Sequence, residues 1–212
     1  MARIVKSPIG QLSGKAGGLV FKTGKNGNYV SSLPVHSNTK PSPIQKLQRN
    51  KMTVVMEFMR PFQWAFKDYY YPFQQKKSGF HAAKSYYLKE ALEYDDGHYK
   101  INYPKALLTF GDLRMVEHLQ ITPDVEHHTL QLQWTDNSSQ AMAYPDDELL
   151  LLFYAPANHQ RFMFPKLAQR ADASVVCDLK SKQVQEYHVW VSFYQPEQQR
   201  ASPSVYAGSF EV

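Results

Sequence analysis

Six side chains able to bind a metal or move a proton fall between residues 117 and 128: Glu117, His118, Asp124, Glu126, His127 and His128. Imidazole with carboxylate is the donor set of a zinc or iron site. The spacing argues against one, because on an extended chain His127 and His128 point to opposite faces. These residues read as solvated loop and strand-end positions, and no metal is expected. Cys177 is the only thiol, which excludes an intrachain disulfide and every zinc site that needs two thiolates. Its one neighbouring base would be His188. A nucleophilic thiol needs an adjacent base and partial exposure, whereas alternation places Cys177 inward with Val175 and Leu179 and His188 outward. Cys177 therefore reads as a core residue.

Gly10-Gln-Leu-Ser-Gly14-Lys15-Ala16 invites comparison with a phosphate-binding P-loop. The glycine spacing is one residue short, Ala16 stands where a Ser or Thr would hold magnesium, and a hairpin rather than a strand-to-helix turn surrounds it. The run Phe58 to Phe73, with Trp64 and Tyr69 to Tyr71 beside Arg60 and Lys67, has the composition of a base-stacking platform. Helical spacing assigns Phe58, Phe62 and Phe66 to a core and leaves Tyr69 to Tyr71, with Trp64, as its exposed remainder. No catalytic signature survives these tests. The chain reads as non-enzymatic, with no cofactor.

Charge says more. The first 56 residues hold nine Lys or Arg and no Asp or Glu; residues 1–105 carry 17 basic against 6 acidic side chains, and residues 106–212 carry 7 against 13. A cationic half suits a polyanion or an acidic protein surface, and an acidic half suits neither. The candidate polyanion contacts are Lys15, Lys22, Lys25, Lys40, Lys46, Arg49 and Lys51. The N-terminus lacks the apolar run of a secretory signal, and no stretch approaches the length of a membrane span. These features predict a cytoplasmic protein without membrane contact, one that an assembly could still carry into a particle.

The elements that must position these residues differ between the two halves. Lys25-Asn-Gly-Asn28 between Gly17–Thr23 and Tyr29–Leu33 predicts a basic β-hairpin. Pro34 to Pro43 is a connector. From Ile44, apolar residues at steps of three and four predict a helix with a kink at Arg60-Pro61. A second helix is predicted after an N-cap at Ser78, with a stripe from Phe80 to Leu92 that ends at Asp95-Asp96-Gly97. Beyond Tyr103-Pro104 the period falls to two, and short strands alternate with turns up to Val205–Val212. Trp134 on an early strand, and Tyr187 at the start of a strand where Val189, Val191 and Phe193 alternate with His188, Trp190 and Tyr194, describe a β-sandwich of immunoglobulin or fibronectin type III kind. The expected fold is thus α+β, with a basic hairpin and helical region at 1–105 and a sandwich at 106–212. Trp190 and Tyr194 on the sandwich's outer face, with Arg200 in its last hairpin, are candidate partner-binding residues.

Four motifs in order carry a resemblance: Gln11-Leu-Ser-Gly-Lys-Ala-Gly-Gly-Leu-Val20, Asn38-Thr-Lys-Pro-Ser-Pro-Ile-Gln-Lys-Leu-Gln-Arg49, Phe80-His-Ala-Ala-Lys-Ser-Tyr-Tyr-Leu-Lys89 and Trp134-Thr-Asp-Asn-Ser138. Together they resemble an uncharacterised bacterial family, common in Bacteroidota, of about this length. The Ser-Gly-Lys hairpin followed by Gln-Xaa-Xaa-Gln-Arg is also similar to small prophage-encoded proteins, which implies a virion or assembly component. The family brings no catalytic residues with it. The expectation is a structural or interaction protein within a larger assembly, whose partner is a protein or another copy of the chain. Two alternatives stand beside it: a nucleic-acid-binding protein using the basic region, and a carbohydrate- or protein-binding sandwich module.

Overall fold

The computed structural model describes residues 2–4, 13–24, 27–35, 40–71, 78–179 and 185–211. The chain divides into two compact units, Met1–Ser42 and Pro43–Val212.

The first unit is an antiparallel sheet of β1 (Ala2–Ile4), β2 (Gly14–Ala16), β3 (Leu19–Gly24) and β4 (Gly27–Ser32), in the order β1-β4-β3-β2. The hairpin read from the sequence is β3–β4, in register from Leu19 opposite Ser32 to Gly24 opposite Gly27. Lys25 and Asn26 lie outside the described residues. Directly opposed residues share a face of a sheet, so Lys15, Val20 and Ser31 form one row, and Lys22 with Tyr29 forms the next row on the same side. Leu19, Phe21 and Val30 take the other side. In this unit Val20 is buried, while Leu19 keeps 46% of its surface exposed.

The second unit opens with α1 (Pro43–Met59), a 3-10 turn at Arg60–Phe62, α2 (Gln63–Asp68) and α3 (Gly79–Lys89). The 3-10 turn is the break that Pro61 imposes. Ser78 stands at the N-cap of α3, yet its hydroxyl meets Nδ1 of His81 at 2.7 Å rather than a backbone N–H. The helix also ends earlier than its stripe suggested. Leu92 belongs to β5 (Leu92–Asp95), which turns through Asp96-Gly97 into β6 (His98–Ile101). Both turn residues have positive φ, the geometry that lets a two-residue Asp-Gly loop close a hairpin.

The remaining strands are β7 (Gln120–Asp124), β8 (Thr129–Gln133), β9 (Glu148–Ala155), β10 (Gln160–Phe164), β11 (Ser174–Asp178), β12 (Glu186–Gln195), β13 (Arg200–Ala201) and β14 (Val205–Glu211). They form a three-stranded sheet, β11-β8-β7, and a larger sheet, β10-β9-β12, whose far edge is shared by β13 and β14. Leu130, Leu132, Trp134 and Cys177 of the first pack against Leu149, Leu151, Phe153, Tyr187, Val189, Val191 and Phe193 of the second.

A second core lies on the other side of the larger sheet. Leu150, Leu152, Tyr154 and Trp190 are covered there by Val55, Phe58, Met59, Phe62, Phe66, Ala83 and Tyr87 of the helices. Strand β9 is buried on both faces, which is why its sequence is a continuous apolar run rather than an alternation. The division expected at residue 105 therefore falls inside one unit. The period does change there, but the helices bury their apolar stripe on β9 and β12 instead of in a core of their own. Among the described residues no helix is long and apolar enough to cross a membrane.

Candidate functional site

Of the seven cations singled out, Lys25 lies outside the described residues, and the others divide between the units. Lys15 and Lys22 are exposed on the same face of the N-terminal sheet, with Tyr29 opposite Lys22, and Lys40 follows on the connector. Lys46, Arg49 and Lys51 belong to α1. At 100° per residue, Lys46 and Arg49 share an exposed stripe, whereas Lys51 is turned away by about 140°. Its ammonium lies over the Tyr99 ring, 5.7 Å from the centroid, so it serves the contact between α1 and the β5–β6 hairpin.

The partner-binding candidates separate as well. Trp190 is fully buried beneath the helices, its indole N–H donating to the Ala106 carbonyl at 2.9 Å. It cannot be a contact residue on an outer face, because that face is occupied. Tyr194, four residues on, is half-buried at the margin of the helical layer, its ring 4.9 Å from that of Tyr69 in an edge-to-face arrangement. Tyr71 joins the two, its hydroxyl bonding the Asp68 carbonyl. Burial, and then the neighbouring Tyr194, push the Tyr71 phenol up to about 12. The Lys166–Glu148 ion pair, at 2.9 Å, flanks the same cluster. Tyr70 is core, buried and stacked on Phe110. Arg200 lies apart from these tyrosines, 3.5 Å from Asp112 and in contact with the Met142 sulfur.

The groups with potential chemistry are dispersed. Glu117 pairs with Arg114 at 2.8 Å, His118 Nδ1 lies 3.1 Å from Thr135 Oγ1, and His127 closes on Asp124 at 2.8 Å. Among the described residues no three His, Cys, Asp or Glu side chains converge. Gly14, Lys15 and Ala16 are strand β2, not the turn into a helix. Cys177 lies in the core between the sheets, where burial pushes its thiol up to about 12. His188 sits on the opposite side of the larger sheet, against Tyr103 and with Nδ1 2.7 Å from the Tyr206 hydroxyl.

Two features have no counterpart in the sequence reading. Arg170 is fully buried beneath the sandwich, bonded to Asp147, Asn137 and the Arg114 carbonyl, with its guanidinium 3.9 Å from the centre of the Phe193 ring. The exposed stripe of α1 also continues from Arg49 past Met52 and Met56 to Arg60, where Arg161 of β10 joins it. Arg60 and Arg161 are far apart in the chain, so no local motif could have paired them.

The chain matches residues 11–208 to the family described as a family of unknown function (DUF6266), and it belongs to that family. No curated protein matches it. Among solved structures, the fn3 domain of the human collagen alpha-1(XX) chain is similar at 17% identity over 47% of this chain and 85% of that one, with a TM-score of 0.34.

Proposed function

We propose that this member of the DUF6266 family is a non-enzymatic interaction protein, a subunit of a larger assembly, in which residues 1–42 make a contact and residues 43–212 form the scaffold. One observation carries the reading. The first unit holds six Lys or Arg and no Asp or Glu, and its sheet leaves Leu19 46% exposed on the side that also carries Phe21 and Val30. Such an element is completed by docking: its apolar side gains burial and its cations gain counter-charges. An acidic partner surface is available in a neighbouring copy, since residues 106–212 carry 13 acidic against 7 basic side chains. The resemblance of the N-terminal pattern to small prophage-encoded proteins fits a particle component.

We further read the scaffold as fibronectin type III-like, with a helical layer added. Strands β7, β8 and β11 against β10, β9 and β12, whose far edge β13 and β14 share, give the two-sheet division that supports this, with Trp134 and Tyr187 in its core. A sandwich holds its loops on a rigid scaffold, which is compatible with an assembly role.

The test is the mass of the full-length chain and of the chain lacking residues 1–42, measured by light scattering at low and at physiological salt. Association that weakens with salt and falls when residues 1–42 are removed is expected. A salt-independent monomer at high concentration overturns the reading. Binding of a nucleic acid is the second reading, favoured by the Lys22–Tyr29 row, where a cation adjoins an aromatic ring on one sheet face. It predicts oligonucleotide affinity that falls steeply with salt and is lost when Lys15 and Lys22 become Gln.

A further inference from the structure

The side of α1 that turns away from the core carries Arg49, Met52, Met56 and Arg60 at steps of three and four, and it lines a groove. At the C-terminal end of α1 the groove runs into a hollow that also takes in His159 and Arg161, with Glu57 and Arg60 common to both. Arg161 is held there by its Nε–H, which donates to the Pro61 carbonyl at 3.1 Å. Met52 keeps 41% of its surface exposed. No ion pair among the described residues engages Arg49, Arg60 or Arg161. The groove is thus an unbranched, adaptable apolar strip bounded by arginines whose charge is unspent, a surface that accepts an apolar side chain set among carboxylates.

The same chain presents that complement. At the β7–β8 turn, Val125 is 55% exposed between Asp124 and Glu126. Asp178 of β11 and Asp124 of β7 both lie opposite Thr129, which puts the two carboxylates in one row, and Val176, 58% exposed, lies in the next row of the same face. We infer that the arginine-bounded groove of α1 receives the β7–β8 turn of a second copy of this chain. Val125 meets Met52 and Met56, and Glu126, with Asp124 whose carboxylate also holds His127 at 2.8 Å, meets Arg60, Arg161 and Arg49. A nucleic acid fits the groove less well, because thioethers offer no stacking plane. The contact joins two different patches, so it is heterologous: it closes into a ring or reciprocal pair, or propagates as a chain, according to its rotation. A single turn in a single groove is a small contact, and its association is weak and concentration-dependent.

This inference rests on the assembly reading above and is separable from it. The experiment uses full-length protein, in which buried Cys177 is silent toward cross-linkers, and mixes Met56→Cys and Val125→Cys variants in equal amounts with a short bismaleimide. The expected product is a covalent heterodimer from the mixture and from neither variant alone, reduced at least about ten-fold when Arg60→Glu or Glu126→Arg is added. Mixing Arg60→Glu protein with Glu126→Arg protein is expected to restore association, since the second protein's intact groove meets the first protein's intact turn and the two reversed charges are again opposite in sign. If the wild type associates but this cross-link does not exceed that of a Thr135→Cys control, the inference falls and the assembly reading stands. A wild type that is monomeric at every concentration and salt overturns both.

Discussion

The Trp190 indole donates to the Ala106 carbonyl at 2.9 Å, joining strand β12 to the segment that leaves the helical layer. Around that bond, Leu150, Leu152, Tyr154 and Trp190 form an apolar face that the helices cover, with Tyr103 and Tyr206 at its margin. A fragment of residues 106–212 is therefore expected to expose this face, to bind a hydrophobic dye and to aggregate, whereas residues 43–212 stay soluble and unfold cooperatively. Size-exclusion profiles and dye binding of the two fragments check this. A soluble, dye-silent 106–212 fragment would show that the sandwich needs no helical layer.

Arg170 and Asp147 form a fully buried ion pair at 2.8 Å, and Asp147 Oδ1 has no hydrogen-bond partner among the described residues. Burial raises the Asp147 carboxyl while its bonds to the Tyr144 N–H and to Arg170 oppose the rise. Removing one partner strands the other charge. Asp147→Ala or Arg170→Met should each destabilise the second unit by about 3–5 kcal/mol, read as a shift of the urea midpoint at pH 7. Replacing both residues by apolar ones should cost less than either single change.

Two glycines are fixed by close approach. A Cβ at Gly79 would stand 2.2 Å from the Phe66 carbonyl oxygen, and one at Gly111 would stand 2.2 Å from that of Ala201. Both obstacles are backbone, which cannot swing aside as a side chain can. Gly79→Ala and Gly111→Ala should each lower stability by about 1–3 kcal/mol or more, the first by lifting α3 from α2 and the second by displacing the 106–113 segment from β13. Thermal unfolding of the two variants would reveal it, and an unchanged midpoint in either would mean that the backbone yields.

Much of this architecture was legible because its signals are local. The β3–β4 hairpin follows from its glycines, the α1 stripe from its three- and four-residue steps, and the inward set Tyr187, Val189, Val191 and Phe193 from alternation. The location of Trp190 was not, since period two separates the faces of a strand but does not say what covers each face. The run Leu149 to Ala155 held that information: a strand without polar alternation is buried twice. Its covering layer had to come from the amphipathic helices upstream. The Arg170–Asp147 pair and the Arg60–Arg161 groove depend on chain crossings that only the tertiary fold makes.

The Cys177 thiol, raised to about 12 by burial and without an adjacent base, should resist maleimide at pH 8 in the folded protein and react fully in denaturant. Rapid modification of the native protein would require local opening of β11. That outcome would also invalidate the cross-linking design, so it is the control to run first.

His188 gives a pH dependence whose sign can be worked out. Burial lowers its imidazole pKa, with Glu186 opposing weakly, and the ring is enclosed by Tyr103, Trp190 and Tyr206. The unfolded chain, near 6.5, then binds a proton more readily than the folded one. By linkage, stability rises with pH wherever the unfolded state holds more protons. The contribution is thus intact above about 6.5, declines as pH falls through that value, and levels off below the depressed folded pKa. His188→Phe keeps the ring contacts and removes the titration. Urea midpoints of wild type and variant between pH 8 and 5 should diverge below pH 6.5, the wild type losing more stability. Parallel curves would mean that the folded imidazole is protonated as easily as the free one.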